Sequence, residues 1–288
     1  MSNLSDISTV REILSRHGFH FSKALGQNFL INPTVCPRMA ELCGADGHSG
    51  VLEIGPGIGV LTRELLQRAK KVVAVELDSR LLPVLNETLS GFHNLKVING
   101  DVMKLDLKAL LANEFGDMPV SVCANLPYYI TSPVIMRLLE ERLEITSLTV
   151  MVQKEAADRI CAAPGQRAAG AVSVAVHYYA EPELLFKVSR GSFMPAPNVD
   201  SAVIRLRVRK VPAVQVDDER FFFSVVKAAF GQRRKTAANA IAAGLSMQKS
   251  IVLHTLEAQR LLPSIRAEQL TIEQFAGLSN ALLQKRKE

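Results

Sequence analysis

The residues of this chain best suited to chemistry stand at the ends of apolar runs. Asn125-Leu126-Pro127-Tyr128, in "VSVCANLPYYITSP", stops a buried-looking run with an amide, an imino acid and an aromatic ring, and no catalytic-looking Ser, Cys or His stands nearby. Upstream, "VLEIGPGIGVLTREL" reads as a strand, a glycine-rich turn and a helix start. Gly55, Gly57 and Gly59 permit a tight turn and let backbone N–H groups approach a ligand closely, which a Cβ would hinder. The dinucleotide fingerprint would need glycine at position 60, where Val60 stands; the pattern is instead acidic-x-G-x-G-x-G from Glu53. The next run, "VVAVELD", ends in Glu76, whose carboxylate can accept both hydroxyls of a ribose, and the one after it ends in "NGD" with Asp101. Taken singly, Glu76 could be a helix-capping acid and Asp101 a turn residue. Beside the glycine turn, at the carboxyl ends of neighbouring strands, they describe a site for a nucleoside.

Such a site needs a sheet whose strand ends converge. From residue 50 to about 208, short β-branched runs alternate with helical stretches: 51–55, 71–77, 95–99, 119–125, 147–153, 171–179 and 201–208. Seven strands with intervening helices predict an α/β fold with a doubly wound sheet whose central strands are apolar on both faces. Before residue 45 the pattern is helical, with Ser or Asp caps at "SDISTVREILSRHG" and Asn32 with Pro33 opening a second helix. After "KVPAVQVDD" the pattern turns helical again to the end, Asp217 or Asp218 capping "ERFFFSVVKAAF". The expected boundaries are therefore 1–210 for the α/β domain with its N-terminal helical extension, and 211–288 for a small all-helical domain.

Composition removes other classes. The chain has 288 residues, of which 48% are hydrophobic, enough for a large core, yet no run reaches the roughly 18 apolar residues of a membrane span and no secretory signal opens the chain. A cytoplasmic protein with no membrane association is expected. Its four cysteines form no C-x-x-C pair and its six histidines show no ligand spacing, so reduced thiols and no metal are expected. A net charge of +6 suits a polyanionic partner.

The stretch from 50 to 208 resembles the class I S-adenosylmethionine-dependent methyltransferases, with their Rossmann-like sheet. The resemblance implies that Gly55 and Gly57 hold the methionine portion of the cofactor, Glu76 the ribose and Asp101 the adenine amino group. A sulfonium ligand without phosphates also agrees with the missing P-loop lysine. The Asn-Leu-Pro-Tyr run then resembles the signature of adenine-N6 methyltransferases. An aromatic amine is a poor nucleophile and needs orientation more than a base. The Asn125 side-chain oxygen and the Leu126 or Pro127 carbonyl can accept its two hydrogens while Tyr128 stacks on the flipped base.

Two more runs, "KALGQNFL" (23–30) and "SFMPAPNVDSAVI" (192–204), are similar to the KsgA-type small-subunit rRNA adenine dimethyltransferases, and with them the resemblance spans nearly the whole chain. It implies that Asn28 and Leu30 close over the cofactor, that Asn125 also borders it, and that Phe193 is the second face of an adenine sandwich; a plain reading buries Phe193 in the core. It further implies dimethylation of two adjacent adenines near the 3′ end of small-subunit rRNA, a small-ribosomal-subunit partner and a monomeric enzyme. Alternatives are a resistance methylase of large-subunit rRNA and a non-catalytic RNA-binding assembly factor. Arg233, Arg234 and Lys235 cluster at the expected start of a helix, with Lys227 and Arg220 before them, as candidate RNA contacts. Arg205, Arg207 and Arg209 alternate on one strand face and are expected to extend the basic surface.

Overall fold

Strands form where all but one of the β-branched runs fall, and the first four end at or near residues singled out above. The computed structural model describes residues 4–19 and 28–287; residues 23–27, the first part of "KALGQNFL", lie outside the described residues. The large sheet contains β1 (Gly50–Ile54), β2 (Lys71–Glu76), β3 (Leu95–Asn99), β4 (Val120–Asn125), β5 (Ser147–Gln153), β6 (Ala180–Val188) and β7 (Ser201–Val208). Their order is β3-β2-β1-β4-β5-β7-β6. The first five are parallel, and β7 runs antiparallel to β5. The chain leaves β1 toward β2 and β3, then returns to lay β4 on the other side of β1. That reversal is the topological switch point, where a crevice opens at the carboxyl ends of the strands.

β1 is buried along its whole length and β4 along all but its last residue, as the two-faced apolar pattern requires. On one face lie helices Val35–Leu42 and Val60–Leu66, whose buried residues join Val51, Val72, Cys123, Met151 and Val203 in a common core. The N-terminal helix Ile7–Arg16 is capped by Asp6, which accepts from Thr9 N at 2.9 Å. Its apolar stripe packs with Phe19, Phe29, Ile58, Leu81 and Val84 in a separate cluster beside the glycine turn. A two-residue antiparallel ladder joins Phe29–Leu30 to Phe193–Met194, with Leu30 opposite Phe193.

One strand falls elsewhere than expected. Residues 171–179 form a helix, and the strand follows directly as β6. Ser173 supports the helix start from within: its Oγ accepts from Gly170 N at 2.8 Å and donates to the Arg159 carbonyl at 2.5 Å.

The chain divides into two compact units, one of residues up to Ala157 with Glu183–Val208, the other of Asp158–Pro182 with Arg209 onward. The second unit therefore takes in the 171–179 helix beside helices Glu219–Phe230, Ala237–Leu245, Lys249–Ala258 and Ile272–Lys287. Asp218 caps the first of these by accepting from Phe221 N at 2.9 Å. Its core is aromatic: Tyr178 stacks on Phe222 and Tyr179 on Phe223 at 5.3 and 5.5 Å, and both hydroxyls donate to Glu219 at 3.1 and 2.7 Å.

Candidate functional site

At the switch point of the first unit lies a cavity of about 1130 Å³, counted out to open solvent. Asn28, Leu30, Gly55, Gly57, Glu76, Asp101, Asn125, Leu126, Tyr128 and Phe193 all line it. Residues spread over 166 positions of sequence meet there because β1, β2 and β4 are neighbours and their registers bring Ile54 level with Val75 and Ala124.

The glycine turn has φ of +70°, +62° and +91° at Gly55, Gly57 and Gly59, a left-handed run that only glycine adopts without strain. At Gly57 the space is tight as well: a Cβ would sit 3.1 Å from the Phe29 ring, which would have to give way slightly. Phe29 thus backs the turn, a role its position between two expected site residues did not disclose.

Glu76 is buried, and each of its oxygens accepts a backbone N–H, Oε1 from Asp78 at 2.8 Å and Oε2 from Gly57 at 3.2 Å. Burial raises its pKa, the two amides offset part of that, and Asp78 adds repulsion. A carboxylate held this way still presents free lone pairs toward hydroxyl donors in the cavity. Gly100 N and the Asn99 side chain both donate to the Glu76 carbonyl, at 2.9 and 2.8 Å, and so fix Asp101 beside it. Asp101 in turn accepts from Met103 N at 2.9 Å.

The sequence marks Glu53 only as the acid that opens the glycine pattern. It lines the same cavity, is buried, and its Oε2 makes no hydrogen bond. Burial pushes its carboxyl up to about 8, with Thr62 pulling down and Glu76 pushing further up. A buried, unpartnered oxygen at a cavity wall suits a polar ligand group. With the left-handed cradle and the buried Glu76 carboxylate, the residues present fit a nucleoside that carries an amino-acid tail.

On the opposite wall Asn125 ends β4 and, among the described residues, its side chain makes no hydrogen bond. The Pro127 carbonyl accepts from Ile130 N at 3.1 Å and Thr131 Oγ1 at 3.3 Å, so of the two carbonyls considered from sequence, Leu126's is the one available to a ligand. Tyr128 is half-buried and its hydroxyl lies 2.7 Å from Ser201 Oγ, a partner nothing in the sequence signalled. Burial raises its pKa, Ser201 offsetting part. Phe193 touches the cavity but is only 4% exposed, packed with Leu30, Cys36 and Val188. Tyr129 stands at the mouth, 57% exposed.

The basic residues divide. Arg233, Arg234 and Lys235 lie exposed in the second unit, in a turn and not at a helix start: the helix begins at Ala237, capped by Thr236. The row on β7 is not a free basic face. Arg205 and Arg207 both pair with Glu183, at 2.8 and 3.0 Å, and Arg209 pairs with Glu181 at 2.9 Å. Those acids sit on β6, the strand that sequence reading misplaced. Among the described residues no cluster of side chains could hold a metal ion, and no helix is long and apolar enough to cross a membrane.

Comparison with known proteins agrees with this geometry. The family model described as ribosomal RNA adenine dimethylase matches residues 18–284. Ribosomal RNA small subunit methyltransferase A of Geobacillus thermodenitrificans is 50% identical, covering 96% of this chain and 97% of its own, and that of Alkaliphilus oremlandii is 46% identical, covering 99% and 100%. Among solved structures, a dimethyladenosine transferase from Plasmodium falciparum superposes with a TM-score of 0.73 at 26% identity, covering 90% of this chain and 98% of its own. The 23S rRNA methyltransferase ErmE superposes at 0.68 with 30% identity, covering 89% and 100%.

Proposed function

Because this chain belongs to the ribosomal RNA adenine dimethylase family, we propose that it dimethylates the N6 amines of two adjacent adenines near the 3′ end of small-subunit rRNA, using S-adenosylmethionine. The observation that carries the reading is that the Asn125–Tyr128 run and Glu76 face one cavity. A ribose-binding acid and an amine-orienting amide at opposite walls put a cofactor and a base in reach of each other.

When bound, the cofactor supplies an electrophilic methyl group on a sulfonium. The chain's own residues do the rest by holding. Glu76 and Asp101 take the nucleoside half of the cofactor, Gly55 and Gly57 let the backbone approach its amino-acid half, and Asn28 and Leu30 border it. The Asn125 side-chain oxygen and the Leu126 carbonyl accept the two hydrogens of the adenine amine and direct its lone pair across the cavity. Tyr128 stacks on the flipped base, and Phe193 closes the far side of it. Arg233, Arg234 and Lys235 contact the RNA backbone, from a helical RNA-binding domain of residues 211–288 that follows a methyltransferase domain of 1–210. The enzyme acts as a cytoplasmic monomer on the small ribosomal subunit during its maturation.

The test is methyl transfer from labelled S-adenosylmethionine to purified unmodified small and large subunits, with the modified nucleosides mapped. Label is expected in small-subunit rRNA as N6,N6-dimethyladenine at two neighbouring positions. Label in large-subunit rRNA alone would favour the activity named for ErmE, and cofactor binding with no transfer to either would favour an assembly factor.

A further inference from the structure

Behind Glu76 the contacts close into a ring that reaches the N-terminal helix. Oε1 of Glu76 accepts from Asp78 N at 2.8 Å. The Asp78 side chain, 6% exposed, receives Arg80 at both oxygens, Nε to Oδ1 at 2.8 Å and Nη2 to Oδ2 at 2.6 Å. The Arg80 guanidinium lies over the Phe19 ring, 4.9 Å from its centroid. Phe19 meets Phe29 at 6.2 Å. Phe29 backs Gly57, and Gly57 N donates to the other oxygen of Glu76 at 3.2 Å. The ring of neighbours passes through the carboxylate assigned to the ribose.

We infer that Arg80 is a positioning residue of the cofactor site, holding Asp78 as a forked ion pair and resting on Phe19 so that the Glu76 carboxylate keeps both its charge and its place. Two acids two residues apart, both nearly buried, are costly unless one is neutralised. Arg80 supplies that neutralisation from the surface: its own side chain is 53% exposed, so it can be replaced without opening the core. Its fork fits a carboxylate in two hydrogen bonds, which a lysine cannot do. The cation over Phe19 then ties this pair to the helix and to the ring behind the glycine turn.

The charges around Glu76 give the inference a pH signature. From β1 it faces Glu53, from its own connection Asp78 and, through Asp78, Arg80; Asp101 shares the cavity from the end of β3. Burial and Asp78 both raise the Glu76 pKa already. A raised acid is charged only above its shifted value, so affinity for ribose hydroxyls is present at higher pH and lost as pH falls through that value. Removing Arg80 takes the forked cation from Asp78, raises Glu76 further, and moves that loss upward in pH.

The inference rests on Glu76 as the ribose acceptor, and the experiment separates the two. Binding of S-adenosylhomocysteine to the full-length protein is measured by calorimetry across pH for wild type, Arg80→Gln, Arg80→Lys and Glu76→Ala, with thermal unfolding of each ligand-free protein. Arg80→Gln is expected to weaken binding about threefold to fivefold near neutrality, to shift the acid limb upward, and to leave unfolding nearly unchanged. Arg80→Lys, keeping the charge without the fork, should restore the pH profile and only part of the affinity. Wild-type affinity and profile in Arg80→Gln, beside weak binding in Glu76→Ala, would overturn the role of Arg80 alone. A pH-independent loss tracking a drop in unfolding temperature would overturn it too, leaving Arg80 structural. Unchanged binding in Glu76→Ala would remove the ribose assignment itself and this inference with it.

Discussion

The two walls of the cavity are built on opposite plans. On the β1–β3 wall the acids at the strand ends are pinned by the backbone: both oxygens of Glu76 hold backbone amides, and Asp101 holds another, while Glu53 Oε2 behind them makes no hydrogen bond. On the β4 wall the Asn125 side chain makes no hydrogen bond among the described residues, and Tyr128 is tied only at its hydroxyl. The first plan suits a ligand that returns unchanged in shape at every turnover, since pinned acceptors lose little freedom when it binds. The second suits a reacting amine, whose two hydrogens need acceptors not already spent.

Within the second wall the two proposed stacking rings differ, and the difference can be broken by mutation. Phe193 is packed into the core at 4% exposed whereas Tyr128 is half-buried. Phe193→Ala should therefore cost about 3–5 kcal/mol of stability, the range for truncating a buried phenylalanine. Tyr128→Ala should cost far less and appear instead as weaker methylation, at about 1–3 kcal/mol of base stacking. Denaturant unfolding beside single-turnover rates checks both. Equal stability losses would make Tyr128 a core residue and erase the contrast between the rings.

Asn125→Ala sharpens the comparison between walls. It deletes the acceptor proposed for the reacting amine, so the single-turnover rate should fall roughly 10²–10³-fold with RNA and cofactor saturating, the cost of removing one positioned polar group at a reaction centre. A wild-type rate would show that the β4 wall binds but does not activate.

The first wall was legible because its signals are local. A glycine triplet, an acid at the end of the next strand and an Asp after the third each declare themselves within a few residues, and the doubly wound order then brings them together. What stayed hidden depends on distant partners. Ser201 gives no sign of holding Tyr128, and Asp78 none of holding Arg80 against Phe19. The misread strand has a physical cause on both sides. "AVSVAVHYY" is buried nearly all round, so its periodicity is flat and its β-branched content misleads; β6 carries Pro182 with Glu181 and Glu183, which suit an edge strand only. Missing β6 also hid Glu183 and Glu181, the acids that pair with Arg205, Arg207 and Arg209.

That paired row supplies the control for the smallest effect expected, in the basic turn. Arg233, Arg234 and Lys235 are exposed and precede a helix whose cap, Thr236, does not depend on them. Changing all three to glutamine should leave the fold and cofactor affinity intact. Each contact to a phosphate contributes about 0.7–0.9 to the slope of log K against log salt, so loss of three should flatten the slope for subunit binding by about 2–3. Arg207→Gln should leave the slope alone, because Arg207 is paired with Glu183 and releases no counterion on binding. If the triple variant keeps the wild-type slope, the turn is a solvated face. If Arg207→Gln flattens it as much, the ion pair on β7 opens to RNA, and the charge that reads the backbone lies on the sheet.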